Sequence, residues 1–211
     1  MINGDQNNNL RELAKPMVAP VVIFLIWFLI RLIQGNTVVV RPGLWQLLPA
    51  EQLLSQPFES LYYLHSQPPL LNTFYFLILW LENLTGISQN FFATIIMGFF
   101  SLAILIFWSL IVYRLSASLI LSALLPVILV TNPMFTSQGE EFFYSQMVPA
   151  MLGGFILSLS LLFSEERKYW FILPAFVAVL IVHTRSLWHP VFFVFLFSAI
   201  GMFGYFFVHK K

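Results

Sequence analysis

Residues 91–112 contain no aspartate, glutamate, lysine or arginine. A helix over so long an uncharged run has no polar face to offer water, so its outer side must be solvated by lipid. Comparable runs recur along the 211 residues, which are 59% hydrophobic and only 9% charged. That is too little charge to cover a soluble domain of this length, and it places the chain among membrane proteins. The net charge of +1 comes from basic residues scattered singly between apolar runs, which excludes a nucleic-acid interface. The absence of cysteine excludes disulfides, thiolate metal sites and redox motifs.

Hydropathy and segment length predict spanning helices over residues 16–33, 91–112, 118–131, 147–163, 171–183 and 191–208. The polar residues 1–15 are expected to be a frayed cytoplasmic tail, followed by one membrane domain over 16–211. The first span lacks a small-residue cleavage site and reads as an uncleaved anchor. Residues 68–81 are ambiguous by hydropathy, and charge distribution decides. If they do not span, Arg11, Lys15, Arg114, Arg167, Lys168, Lys210 and Lys211 all fall on one side, as the positive-inside rule requires. The expectation is therefore an all-α polytopic protein with about six transmembrane helices and both termini cytoplasmic. Its first outer loop is long, residues 34–90, with an interfacial juxtamembrane helix over 68–84. Trp45, Tyr62, Tyr63, Tyr75 and Trp80 suit a structure resting at the membrane–water boundary.

Under this topology the chemically capable side chains collect on the outer side. The first loop supplies Glu51, Glu59, His65 and Gln67; the second supplies Glu140, Glu141 and Tyr144; the third supplies Arg185 and His189 beside His183. Carboxylates next to apolar helix ends are costly unless paired, which points to a base, a metal ligand or, more simply, a pair of solvated loop charges. Arg185 with two nearby histidines offers donors suited to a phosphate, or else is an arginine anchoring a helix end. His65 alone reads first as a loop histidine. The prolines after it, in "HSQPPLLN" (residues 65–72), make a rigid bend into the following helix and aim His65 and Gln67 at a fixed place.

That "HSQPPLLN" junction, the acidic "GEEFFY" of residues 139–144 and "TRSLWHP" of residues 184–190 together resemble the GT-C superfamily of polytopic glycosyltransferases. The nearest branch is that of the protein O-mannosyltransferases and the lipid A aminoarabinose transferase. The resemblance covers about residues 16–193. It implies transfer of a sugar, with inversion, from a polyprenyl-phosphate carrier on the extracytoplasmic face of a bacterial inner membrane or the endoplasmic reticulum. The family's catalytic base is an aspartate soon after the first helix. This chain has no aspartate after Asp5, so the resemblance passes that role to Glu51 or Glu59. It gives Glu140 or Glu141 a second carboxylate's role, orienting the acceptor or holding a divalent ion, and gives the leaving phosphate to Arg185 and His189. Family members commonly carry further helices and an outer domain, so a truncated or minimal relative that works with a protein partner is expected. Two other classes fit the same residues. A non-catalytic scaffold would have lost the base, and a transporter or lipid-handling protein would hold its charges near the bilayer midplane on broken helices.

Overall fold

The computed structural model describes residues 3–41, 47–62, 69–164 and 172–184, with side chains from residue 14 to 160 and from 173 onward within those ranges. Among them the chain forms helices α1 (Asn3–Ile33), α2 (Ala50–Ser55), α3 (Pro57–Tyr62), α4 (Pro69–Thr85), α5 (Gln89–Ser116), α6 (Leu119–Thr131), α7 (Pro133–Gln138), α8 (Tyr144–Ser164) and α9 (Ile172–Thr184). The first correction concerns α1. It runs unbroken through the polar residues expected to fray and passes Pro16 and Pro20 without ending. It stops at Gly35, whose φ of +73° is open to glycine at little cost. There the Asn36 amide donates to the Arg31 carbonyl and the Gly35 amide to that of Leu32, closing the helix end on itself.

Helix α5 is the axis of the bundle. It packs against α1, α6, α8 and α4, while α9 lies on α8 and α4, and α1 also meets α6. Two close approaches depend on missing side chains. Phe28 of α1 occupies the place of a Gly98 Cβ on α5, which would lie 2.8 Å from its ring. Across the α5–α8 contact, a Cβ on Gly153 would lie 3.0 Å from Trp108 Nε1, and that indole N–H donates to the Pro149 carbonyl at 3.2 Å. The core between these helices holds Met97, Ile104, Leu105, Met147, Phe155 and Ile181.

The outside of the bundle is also apolar. Val18, Ile26, Leu29, Phe99, Ile120 and Ile128 are all more than half exposed. Two helical segments are long and apolar enough to cross a membrane, Ala14–Ile33 and Gln89–Ser116. Helices α6 and α9, at 13 residues each, fall short of the about 20 that a span requires. The 21 residues of α8 reach roughly 31 Å. The last expected span, 191–208, lies outside the described residues.

Helix α4 falls where a helix was expected, but its faces differ from the reading of its aromatics. Trp80 is half exposed, and Leu84 on the same side is more exposed still. Tyr75 is fully buried, 6.5 Å from the ring of Phe142, and is a core residue instead of an interface anchor. Its hydroxyl has no hydrogen-bond partner among the described residues, and burial, with a smaller contribution from the Glu82 charge, holds its pKa above the ordinary tyrosine value. Tyr62 is exposed, while Trp45 and Tyr63 lie outside the described residues.

A larger residue at Gly153 should force α5 and α8 apart. Gly153→Leu is expected to cost about 1–3 kcal/mol, the usual penalty for overpacking, read as a lower melting temperature in detergent. An unchanged melt would mean that the two helices do not approach this closely.

Candidate functional site

After α1 ends, residues 36–41 run in extended conformation between the start of α5 and the loop that joins α7 to α8. Their backbone donors turn alternately to the two sides. The amides of Val38 and Val40 donate to Thr94 Oγ1 (2.9 Å) and Asn90 Oδ1 (3.1 Å) on the first turns of α5. The amide of Val39 donates to the Glu140 carbonyl (2.8 Å), and the Phe142 amide donates back to the Val39 carbonyl (3.1 Å). The result is an isolated parallel bridge between Val39 and Glu141. Val38 and Val40 are buried, so apolar contact reinforces the polar clasp.

This clasp sets the first and second expected outer segments side by side and pairs their charges. Arg41 Nη2 lies 2.9 Å from Glu141 Oε1. Arg31, in the last turn of α1, reaches Glu140 Oε1 at 3.4 Å with Nη2 and donates to the Thr136 carbonyl at 3.0 Å with Nη1. Its guanidinium also lies over the Trp27 ring, 5.1 Å from the centroid, and Trp27 in turn leans on Phe135 at 5.7 Å. Arg31 therefore joins α1 to the end of α7, where it shares the Thr136 carbonyl with the Gly139 amide and its charge suits a helix C-terminus. Its side chain is only 9% exposed, against 51% for Glu140. The partners of the two glutamates are thus Arg31 and Arg41. Arg185 lies outside the described residues, as do His189, His65 and Gln67.

The other expected carboxylates stand on short helices. Glu51 is in the first turn of α2 and Glu59 in the first turn of α3. Both are exposed, and neither has an ion-pair partner among the described residues. They are tied to α4 through Asn72. This fully buried residue of α4 accepts from the Leu48 amide at 2.8 Å, just ahead of α2. The Ser60 hydroxyl, donating to the Gln52 carbonyl at 3.2 Å, fastens α3 to α2. One turn beyond Asn72, Tyr75 receives Phe142, the residue after Glu141. Tyr144 opens α8 with its ring against Phe143, centroids 4.0 Å apart.

No three His, Asp or Glu side chains converge on a possible metal position among the described residues. With Glu140 and Glu141 each engaged by an arginine, this set does not fit a carboxylate-held divalent ion. Arg31 is the residue that sequence reasoning missed. The visible signal was a cation inside an apolar run, with a tryptophan four residues earlier on the same helix face. No family model, characterised protein or solved structure matches the chain.

The two arginines should differ in weight. Arg31→Leu strips a hydrogen bond from a carbonyl at the α7 end and a partner from Glu140, with an expected loss of about 1–3 kcal/mol. Arg41→Leu removes an exposed pair worth under about 1 kcal/mol. Thermal melts of both variants, with a double-mutant cycle over Arg31 and Glu140, test the ranking. Equal losses would show that Arg31 is an ordinary surface arginine.

Proposed function

We propose that this is an integral membrane glycosyltransferase-like protein that moves a sugar from a polyprenyl-phosphate carrier to an acceptor hydroxyl at the extracytoplasmic face. The observation that carries the reading is the placement of Glu140 and Glu141 beside the exit of α1 by the Val39 clasp, with Glu51 and Glu59 exposed on short helices that the Asn72 tie fastens to α4. In this reading six helices span, both termini are cytoplasmic, and α4 lies along the outer boundary. The four glutamates divide the roles. Glu51 or Glu59 takes the proton of the acceptor hydroxyl as its oxygen attacks the anomeric carbon. The bond from that carbon to the carrier's phosphate oxygen breaks with inversion, and the departing phosphate keeps the electron pair. Arg185 and His189 donate hydrogen bonds to it. Glu140 and Glu141, held by their arginines, shape the acceptor side with Tyr144, His65 and Gln67.

One observation favours a second reading, a non-catalytic scaffold or assembly subunit. Glu140 and Glu141 are each engaged by an arginine of the same chain, as structural carboxylates are. A transport path is less well supported, because Arg31, Arg114, Glu140 and Glu141 stand at or just beyond helix ends and not midway along broken helices.

Transfer from a synthetic polyprenyl-phosphate sugar by the reconstituted protein separates the first two readings. Loss of a general base costs about 10²–10⁴ in rate. Glu51→Gln or Glu59→Gln should show such a loss with an unchanged melting temperature, while Arg185→Ala should abolish carrier binding. If the unaltered protein gives no transfer, and Glu140→Gln and Glu141→Gln alter only stability, the scaffold reading stands.

Topology has its own check. Since the chain contains no cysteine, a single one introduced at position 140 should react with an impermeant thiol reagent from outside the cell. Reaction from the cytoplasmic side alone would overturn the proposed orientation and the site with it.

A further inference from the structure

Beside α7, the helices leave a crevice of about 340 Å³. Helix α6 packs on α5 and α1, α8 packs on α5 and α9, and the space between α6 and α8 is floored by α5. Its two ends differ. Trp108, Leu125 and Leu129 line the deep part, whereas Asn132, Gln138 and Gln146 line the part next to α7.

The hydrogen bonds at that polar end can be accounted for atom by atom. Asn132 Oδ1 accepts from the Met134 amide, which leaves its NH₂ to other partners. Gln146 Nε2 donates to the Phe135 carbonyl at 3.0 Å. A carbonyl only accepts, so this contact fixes which way the Gln146 amide points. Its oxygen, fully buried behind the rim, has no donor among the described residues. The Gln138 side-chain amide has no intrachain partner among the described residues either, since Ser145 uses only its backbone carbonyl. The rim thus offers both donors and acceptors, and the described residues that line the crevice carry no charge.

We infer that this crevice binds an uncharged lipid with a single hydrocarbon chain and a hydroxyl head of the monoacylglycerol type. A volume at the small end of the range for ligand sites suits one chain, and the apolar wall with a few convergent polar groups is the usual make-up of such a site. A head of hydroxyls both donates and accepts, which matches free amide groups. A phosphate or carboxylate would enter a site that provides no cation to replace its hydration. The inference does not rest on the sugar-transfer reading.

The test uses the full chain in phosphatidylcholine nanodiscs and a monoacylglycerol with a photoreactive diazirine in its chain. The same chain as a free fatty acid and as a lysophosphatidic acid serve as comparisons. The monoacylglycerol should label α6 and the first half of α8, about fivefold more than either anion, as expected when one hydrogen-bonded head is favoured over a mismatched one. Leu129→Trp, which fills the crevice, should cut that labelling by a similar factor, and Gln138→Ala should remove the preference for the glycerol head. Gln138 lies at the rim, so its variant remains informative if Leu129→Trp fails to fold. Equal labelling by all three heads, or labelling indifferent to both substitutions, would overturn the assignment.

Discussion

A chain that leaves an apolar helix cannot leave its next amide groups unpaired, and residues 36–41 meet that constraint with partners from two other parts of the fold. Thr94 and Asn90 on α5 take the Val38 and Val40 amides, and the backbone around Glu141 takes both polar groups of Val39. Each buried amide left alone would cost about 1–3 kcal/mol, so the four bonds act together to prescribe one position for this segment. The location of Arg41 opposite Glu141 follows from that position. It does not require a strong ion pair, which an exposed arginine and glutamate would not supply.

Arg31 shows the same logic with a charge. A guanidinium buried at the end of an apolar helix is tolerated because three different groups receive it: the Thr136 carbonyl, the Glu140 carboxylate and the Trp27 ring. Two of these lie on the α7 side, so the cation orients α7 relative to α1 as well as being stabilised by it. Helix α7, six residues long, has little intrinsic reason to be helical. Its Asn132 cap at one end and Arg31 at the other supply what length does not.

How much of this was legible depends on the range of the interaction. Helix α5 was readable from its uncharged run, and α4 begins and ends within a residue of its expected limits because proline at one end and Gly86 at the other are local signals. The aromatic faces were less legible. An amphipathic aromatic suits the membrane boundary but serves a core equally well, so Tyr75 is expected at the boundary and is found in the core. The pairing of Arg31 with Glu140 joins residues 109 apart, and no sequence pattern encodes such a distance. The carboxylates could be nominated from cost alone, but their partners could not.

The loop between α7 and α8 is used on both faces, and this bears on how a site here would work. One face presents Glu140 and Glu141 to the arginines of the first segment; Gln138 and Gln146, on the other, border the α6–α8 crevice. Gln146 holds the Phe135 carbonyl, one residue from the Thr136 carbonyl held by Arg31. Two side chains from opposite sides therefore grip adjacent carbonyls of α7. Helix α7 is thus held between the Arg31–Glu140 pair and the polar rim of the crevice, which fixes both relative to the same short helix.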